Sequence, residues 1–132
     1  RAGRQKAGPD TAGGFTEDRT MMKAASRVVG NVSVLDLSGK ITIGEGDMVL
    51  REKVHELLDS GKTRILLNLE KISYMDSAGI GELVACYKRA REKGGTVRLL
   101  KPSGKVYDLL QLTKLEEVFD TFNDESEAIK AF

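Results

Sequence analysis

The sequence predicts an α/β fold in which four or five strands form a mixed sheet covered by about four helices. Short apolar segments alternate with amphipathic ones along the chain, and glycines separate them. Residues 65–69 form an apolar run of the length typical of a strand buried on both faces. Alternating strands and helices favour parallel pairing with right-handed crossovers. A chain of 132 residues, 40% of them hydrophobic, can fill one core of this kind.

The chain is expected to divide into residues 1–21 and a single domain over 22–132. Residues 1–20 hold one large hydrophobic side chain, Phe15, too little apolar surface to offset the entropy of ordering the segment. We expect a flexible leader, either a native basic tail or a segment added for expression. The net charge of +1 combines an excess of three basic charges in residues 1–27 with an excess of two acidic charges in the remainder. The slightly acidic remainder disfavours nucleic-acid binding, which needs a basic face.

Composition also disfavours several other classes of protein. The single cysteine, Cys86, cannot form an internal disulfide, which fits a reducing cytoplasm, and one histidine, His55, is too few for a zinc site. No apolar run approaches the ~18 residues of a membrane-spanning helix, so no membrane insertion is expected. The Gly-Glu-Gly segment 44–46 is too short for a phosphate-binding loop, and no Gly-x-Ser-x-Gly motif is present. We therefore expect no cofactor and no enzymatic activity.

The first half of the domain is expected to contain two strands and one helix. Apolar residues at 28–29 and 32–37 predict strands joined by a tight turn at 30–31, where glycine adopts a positive φ without steric cost. Asp47 is the expected N-cap of the helix, which ends at Gly61. Its apolar face is formed by Leu50, Val54, Leu57 and Leu58.

The second half begins with the buried strand 65–69, followed by an expected loop over 70–76. The next helix is expected to bury Ile80, Leu83, Val84 and Tyr87, whose spacing is i, i+3, i+4, i+7. It ends at the glycine pair 94–95. The remaining expected elements are a strand over 97–100, a helix over 106–112, an edge strand over 118–122 and a terminal helix capped by Asp124.

The junction between the buried strand and the second helix is the most informative segment. It reads Tyr-Met-Asp-Ser-Ala-Gly-Ile-Gly over 74–81 and is expected at the carboxyl ends of the strands, where α/β sheets meet ligands and partners. Ser77 then lies at the helix N-terminus, where free N–H groups and the helix dipole favour negative charge. A phosphate on Ser77 would add about −1.5 to −2 charges there. Helix capping by Asp76 and Ser77 is the plain structural alternative.

Residues 66–88 closely resemble the core signature of STAS domains, specifically bacterial anti-sigma factor antagonists (anti-anti-sigma factors). The matching pieces are a hydrophobic strand ending in Asn-Leu, an aromatic-Met-Asp-Ser-x-Gly-Ile-Gly loop and an amphipathic helix running to Tyr-Lys. The resemblance extends over roughly residues 23–130, with 34–41 similar to the family's second strand and 94–95 to its helix exit.

The resemblance implies a cytoplasmic switch protein that acts by partner switching. In this scheme the unphosphorylated protein binds an anti-sigma factor that is also an ATP-dependent serine kinase, phosphorylation abolishes binding, and a serine phosphatase restores it. The modified serine follows the signature aspartate and corresponds to Ser77, whereas Ala78 replaces the serine or threonine common at the next position. The expected partner-binding residues are Tyr74, Met75, Asp76, Ser77, Ala78, Gly79, Ile80, Lys40 and Thr42.

The segment after the second strand departs from the family pattern. Members often carry carboxylates there, but this chain reads Gly-Lys-Ile-Thr over 39–42. The basic Lys40 predicts a different partner specificity, or a STAS interaction module of a signalling scaffold or transport complex that does not control a sigma factor.

Overall fold

A computed structural model of the protein describes residues 22–132, and the leader expected over 1–21 lies outside these residues. Five strands, four α-helices and one short 3-10 helix occur in the described part of the chain. In chain order they are β1 (Lys23–Val29), β2 (Val32–Ile41), α1 (Gly46–Asp59), β3 (Arg64–Met75), α2 (Ser77–Glu92), β4 (Thr96–Leu100), α3 (Gly104–Leu112), the 3-10 helix Leu115–Glu117, β5 (Thr121–Phe122) and α4 (Glu125–Lys130).

The strands form one mixed sheet in the order β1-β2-β3-β4-β5, which confirms the predicted fold class. β1 and β2 are an antiparallel hairpin whose last pair is Val29 with Val32, and Gly30 has the positive φ of +62° that its two-residue turn requires. β2, β3, β4 and β5 run parallel. The carboxyl ends of β2 and β3 therefore lie at the same edge of the sheet, where Ile41 pairs with Met75.

The two faces of the sheet are covered unequally. Helices α1, α2 and α3 pack on one face around a large core that includes Leu67, Leu83 and Val106. Among the helices of residues 22–132, α4 alone packs on the other face, over a small apolar cluster around Leu66 and Ala128. No helix among residues 22–132 combines the length and the apolar character that crossing a membrane requires.

The prediction of a loop over 70–76 is wrong, because β3 continues to Met75. Pairing with β2 extends through Lys40 with Tyr74 and Ile41 with Met75, so the backbone groups of this polar segment are satisfied by the neighbouring strand. Two irregularities in the register, between Asp36 and Ser38 and between Gly39 and Lys40, break the alternation of side chains along β3. The period-2 pattern is therefore absent from the sequence of this half of the strand.

The first helix begins two residues earlier than predicted, at Gly46, and its N-cap is Glu45 rather than Asp47. The Asp47 carboxylate lies in the first turn and accepts hydrogen bonds from the backbone N–H groups of Gly44 (3.0 Å) and Met48 (2.8 Å). Asp47 thus stabilises the start of this helix, although not as its N-cap. Its carboxylate connects the first turn to the backbone of the preceding loop.

The buried stripe of α2 is rotated from the predicted one. Leu83 is buried as expected, but Ile80, Val84 and Tyr87 are only half-buried, and the remaining buried positions are Gly79, Glu82, Cys86 and Ala90. The charged Glu82 is tolerated inside because Arg51 of α1 and Arg89 of α2 each lie 3.1 Å from its carboxylate.

The predicted edge strand over 118–122 is reduced to the two residues of β5. Phe119 precedes it and enters the main core, where its ring meets Tyr87 edge-on at a centroid distance of 5.1 Å. Leu112, the last residue of the predicted third helix, is 80% exposed.

Candidate functional site

The predicted junction lies at the carboxyl edge of the sheet, where Asp76 links the end of β3 to the start of α2. Asp76 is the N-cap of α2, and its Oδ1 accepts a hydrogen bond from the Gly79 N–H at 2.9 Å. Its Oδ2 accepts a second bond from the Ile43 N–H at 3.0 Å. One carboxylate therefore ties the first turn of α2 to the loop that follows β2.

These two hydrogen bonds also fix the protonation of Asp76. Donation by Gly79 and then by Ile43 holds the pKa of the carboxyl below its ordinary value, because both bonds favour the charged form. Asp76 is thus an ionised anchor whose two oxygens each hold a backbone amide. The capping role weighed from the sequence is confirmed for Asp76.

A glycine on each helix permits the close packing behind this anchor. A Cβ on Gly79 would collide with the carbonyl oxygen of Ile41 and would lie 2.7 Å from Cγ of Met75. A Cβ on Gly46 would collide with the carbonyl oxygen of Lys40 in the same way. Helices α1 and α2 therefore both start directly against the last two residues of β2. The close approach at Gly79 is made by this chain's own backbone.

Ser77 is the first residue of α2, and its side chain is exposed. Because Asp76 makes the side-chain cap bond, the Ser77 hydroxyl is not needed for it. The positive end of the helix dipole lies at this position, where added negative charge is tolerated. The arrangement therefore presents an exposed hydroxyl at the helix start that does not take part in the Asp76 cap.

The surface around Ser77 is largely apolar. On one side, a groove of about 400 Å³ runs between α2 and α3 and is lined by Tyr74, Ile80, Leu109 and Thr113. Tyr74 also borders a second cavity of about 430 Å³ that includes Lys105. On the side of the Asp76–Ile43 bond, Ile43 is 75% exposed and Met48 47% exposed. Such exposed apolar groups near one polar centre are typical of an interaction surface.

The structure brings most of the predicted partner-binding residues together at this edge. Tyr74 and Ser77 are exposed, Asp76, Ala78 and Ile80 are half-buried, and Met75 and Gly79 lie buried beneath them. Lys40 is exposed and pairs in register with Tyr74, while Thr42 is half-buried and its carbonyl accepts a bond from the Asp47 N–H.

Sequence reasoning missed Ile43, Met48 and Leu109, which extend this surface. Leu109 was expected only as part of the helix over 106–112, and Ile43 lies in a loop, from which its N–H donates to Asp76 in another part of the chain. The one sequence signal that could have identified Ile43 is its position as an isolated apolar residue next to Gly44 in a loop.

Two reactive residue types elsewhere do not contribute to the site. His55 is exposed and lies in a cavity with Arg89 and Lys93, near the last turns of α2. Ser77 is at the first turn, so roughly 18 Å of helix separates the two regions at 1.5 Å per residue. Cys86 is buried, and burial together with the charge of Glu82 raises its pKa to about 12, which keeps the thiol protonated.

Comparison with known proteins connects this architecture to one family. The family model described as "STAS domain" matches residues 23–128. The anti-sigma-B factor antagonist of Bacillus subtilis is 31% identical over 86 residues, which cover 65% of this chain and 77% of that protein.

Solved structures agree with this match. A Thermotoga maritima protein assigned as an anti-sigma factor antagonist has a TM-score of 0.76 and 27% identity, with 82% of this chain and 92% of that one covered. The anti-sigma factor antagonist SpoIIAA in its unphosphorylated form has a TM-score of 0.71 and 26% identity, with 83% and 95% covered. The phosphorylated form of SpoIIAA from Bacillus has a TM-score of 0.65 and 25% identity, with 83% and 98% covered.

Proposed function

The chain belongs to the STAS domain family, and on that premise we propose that it is an anti-sigma factor antagonist that works by partner switching. In its unmodified form it binds an anti-sigma factor through the surface around Ser77. That partner also carries a serine kinase activity, and phosphorylation of Ser77 releases it. A serine phosphatase returns the protein to its binding form. The protein itself acts as a regulator in the cytoplasm, without cofactor, catalysis or contact with nucleic acid.

The observation that carries this proposal is the position of Ser77. It is exposed at the first residue of α2, on a frame held by Asp76 and Gly79 rather than by its own hydroxyl. A kinase can therefore reach the hydroxyl without unfolding the helix, and a phosphate there meets the positive end of the helix dipole. SpoIIAA, a relative of known structure, has been solved in an unphosphorylated and in a phosphorylated form.

The composition of the surrounding surface explains how a phosphate releases a partner. Tyr74 and Ile43 present apolar area on the two sides of Ser77, and a partner that covers them excludes water from the hydroxyl. A phosphate of about −1.5 to −2 charges would then have to be desolvated inside the contact. Burying an uncompensated charge at an interface costs about 2–5 kcal/mol, so binding weakens by at least about thirtyfold.

The test is phosphorylation of the purified protein by its cognate anti-sigma factor with ATP and Mg²⁺. Mass spectrometry of the digested protein should place one phosphate on Ser77. Ser77→Ala should stay unmodified, whereas Ser73→Ala, which removes an exposed serine four residues away, should be modified like the parent protein.

Binding is then measured by calorimetry with both forms. The modified protein and Ser77→Asp should bind the anti-sigma factor more weakly than the unmodified protein. Phosphate on another residue, or the same affinity before and after modification, would contradict partner switching. Equal affinities would favour a constitutive STAS module of a signalling scaffold or transport complex, the role to which Lys40 also points.

A further inference from the structure

The sheet face opposite α1 and α2 has three successive regions between α4 and the carboxyl edge of the sheet. The first is apolar and lies under α4, where Leu66 packs with Ala128. The second is a polar network in which Arg27 donates hydrogen bonds to Asp36 and Glu125 and ties α4 to the hairpin. The third region lies beyond this network, towards the carboxyl edge that carries Ser77, and none of the helices described above covers it.

Three neighbouring strands each contribute a lysine to the third region. Ser38 of β2 pairs with Lys23 of β1 and with Lys71 of β3, so the three side chains project from the same face. Lys40 lies two residues further along β2 and pairs with Tyr74. We call Lys23, Lys40 and Lys71 the lysine row. With strands about 4.8 Å apart, its width is about 10 Å.

The lysine row is exposed, and its three ammonium groups lie beyond ion-pair distance of the carboxylates in residues 22–132. The neighbouring carboxylates have other partners, since Asp36 is held by Arg27 and Glu70 lies 3.8 Å from Lys101. Hydrogen bonds from Arg27 hold the pKa of Asp36 below its ordinary value, and the Lys71 ammonium adds to this effect, which places Lys71 near the network.

We propose that the lysine row binds an acidic segment of the protein partner that covers Ser77. This inference rests on the proposed function and specifies the chemistry of the partner. The row continues through Tyr74 into the apolar surface around Ser77, so one partner can contact both. The row attracts the acidic segment, so the partner's negative charge strengthens binding to the unmodified protein. A phosphate on Ser77 repels the same segment, so this charge favours dissociation after modification.

The size of the row distinguishes a protein partner from two other anionic partners. A DNA complex with 6–10 phosphate contacts needs about as many basic groups, and segments that bind anionic membranes typically contain about 4–8 basic residues. The lysine row has three lysines, and residues 22–132 contain as many acidic as basic side chains. A short acidic peptide segment matches the row's width and charge.

Charge reversal tests the assignment on the whole protein. Lys40→Glu/Lys71→Glu should lower the association rate constant for the cognate anti-sigma factor about tenfold at 50 mM NaCl, and the difference should shrink at 300 mM NaCl. The matched control is Lys62→Glu/Lys93→Glu, which makes the same change in net charge at exposed positions outside the row and should stay within twofold of the parent. Equal thermal unfolding of the three proteins excludes misfolding.

A second measurement does not depend on the anti-sigma factor. A ten-residue polyglutamate peptide should shift the amide resonances of the lysine row in the parent protein but not in the reversal variant. Equal association rates for reversal and control variants would overturn the proposal, as would tighter binding of a 20-base-pair DNA or of phosphatidylserine vesicles through these lysines. Failure of the unmodified protein to bind any anti-sigma factor, with the peptide shifts intact, would instead refute the proposed function.

Discussion

The packing of α2 against β2 allows one substitution to be predicted in detail, Gly79→Ala. The new methyl group would overlap the carbonyl oxygen of Ile41, which is backbone, and would crowd Cγ of Met75 at 2.7 Å. The Met75 side chain can move, but the Ile41 carbonyl is held in the sheet by pairing with β3. The first turn of α2 must therefore move away from β2, and the hydrogen bond from Gly79 to Asp76 must lengthen.

The expected magnitude is the balance of three contributions. Replacing glycine by alanine inside a helix stabilises the helix by about 1 kcal/mol. Overpacking a rigid site costs about 1–3 kcal/mol or more, and the weakened cap bond adds about 1 kcal/mol. We expect Gly79→Ala to lower the free energy of unfolding by about 2 kcal/mol, which lowers Tm by about 8 °C in a domain of this size.

Gly81→Ala provides the matched control, because a Cβ at Gly81 has no heavy atom within 4 Å. This variant carries the same chemical change on the same helix and should be stabilised by about 0.5–1 kcal/mol. Urea unfolding followed by circular dichroism measures both variants. The reasoning is refuted if Gly79→Ala is as stable as Gly81→Ala.

Three further predictions concern groups around the cores and the site. Cys86, whose pKa burial raises to about 12, should react with a disulfide reagent at pH 8 only after urea unfolds the protein, and rapid labelling of the folded protein would contradict its burial. Arg27→Gln should cost about 1 kcal/mol, since the ion pairs are part-exposed, and should speed amide exchange selectively in α4; unchanged exchange there would show that the network does not hold the helix. The lowered pKa of Asp76 means that its charge stabilises the fold above the unfolded pKa of about 3.9 and that this contribution is lost as the pH falls through the folded value. Asp76→Asn should therefore flatten the acid side of the stability profile measured by urea unfolding, and an identical profile would contradict the assignment.

Local patterns in the sequence were sufficient for the elements with regular periodicity. The tight turn at Gly30, the buried strand over 65–69 and the cap at Asp76 are each set by neighbouring residues, and the structure has all three. The second half of β3 was missed because pairing with β2 and two register irregularities, which involve distant residues, make a polar segment extended.

The buried face of α2 shows a different limit of sequence reasoning. Periodicity placed apolar residues inside and left Glu82 outside, but Arg51 from another helix makes the burial of this carboxylate possible. The same applies to the candidate site. Its central segment over 74–80 could be read from the sequence, whereas Ile43 joins it only through a hydrogen bond to Asp76 from across the edge of the sheet.

Asp76 and Ser77 have different roles at the start of α2, and the last prediction tests this difference. It asks which of the two residues stabilises the fold and which serves only as a modification site. Asp76 holds two backbone amides, whereas Ser77 is exposed and makes no cap bond in α2. Ser77→Ala should therefore unfold within about 0.5 kcal/mol of the parent, as is usual for surface positions without a specific contact. Ser77→Asp should do the same, because attraction to the helix dipole, about 0.3–1 kcal/mol, is opposed by repulsion from Asp76. Asp76→Ala should be clearly less stable than either variant in urea unfolding. If Ser77→Ala were destabilised as much as Asp76→Ala, Ser77 would be part of the frame, and a phosphate there would act by disturbing the fold rather than by changing its surface.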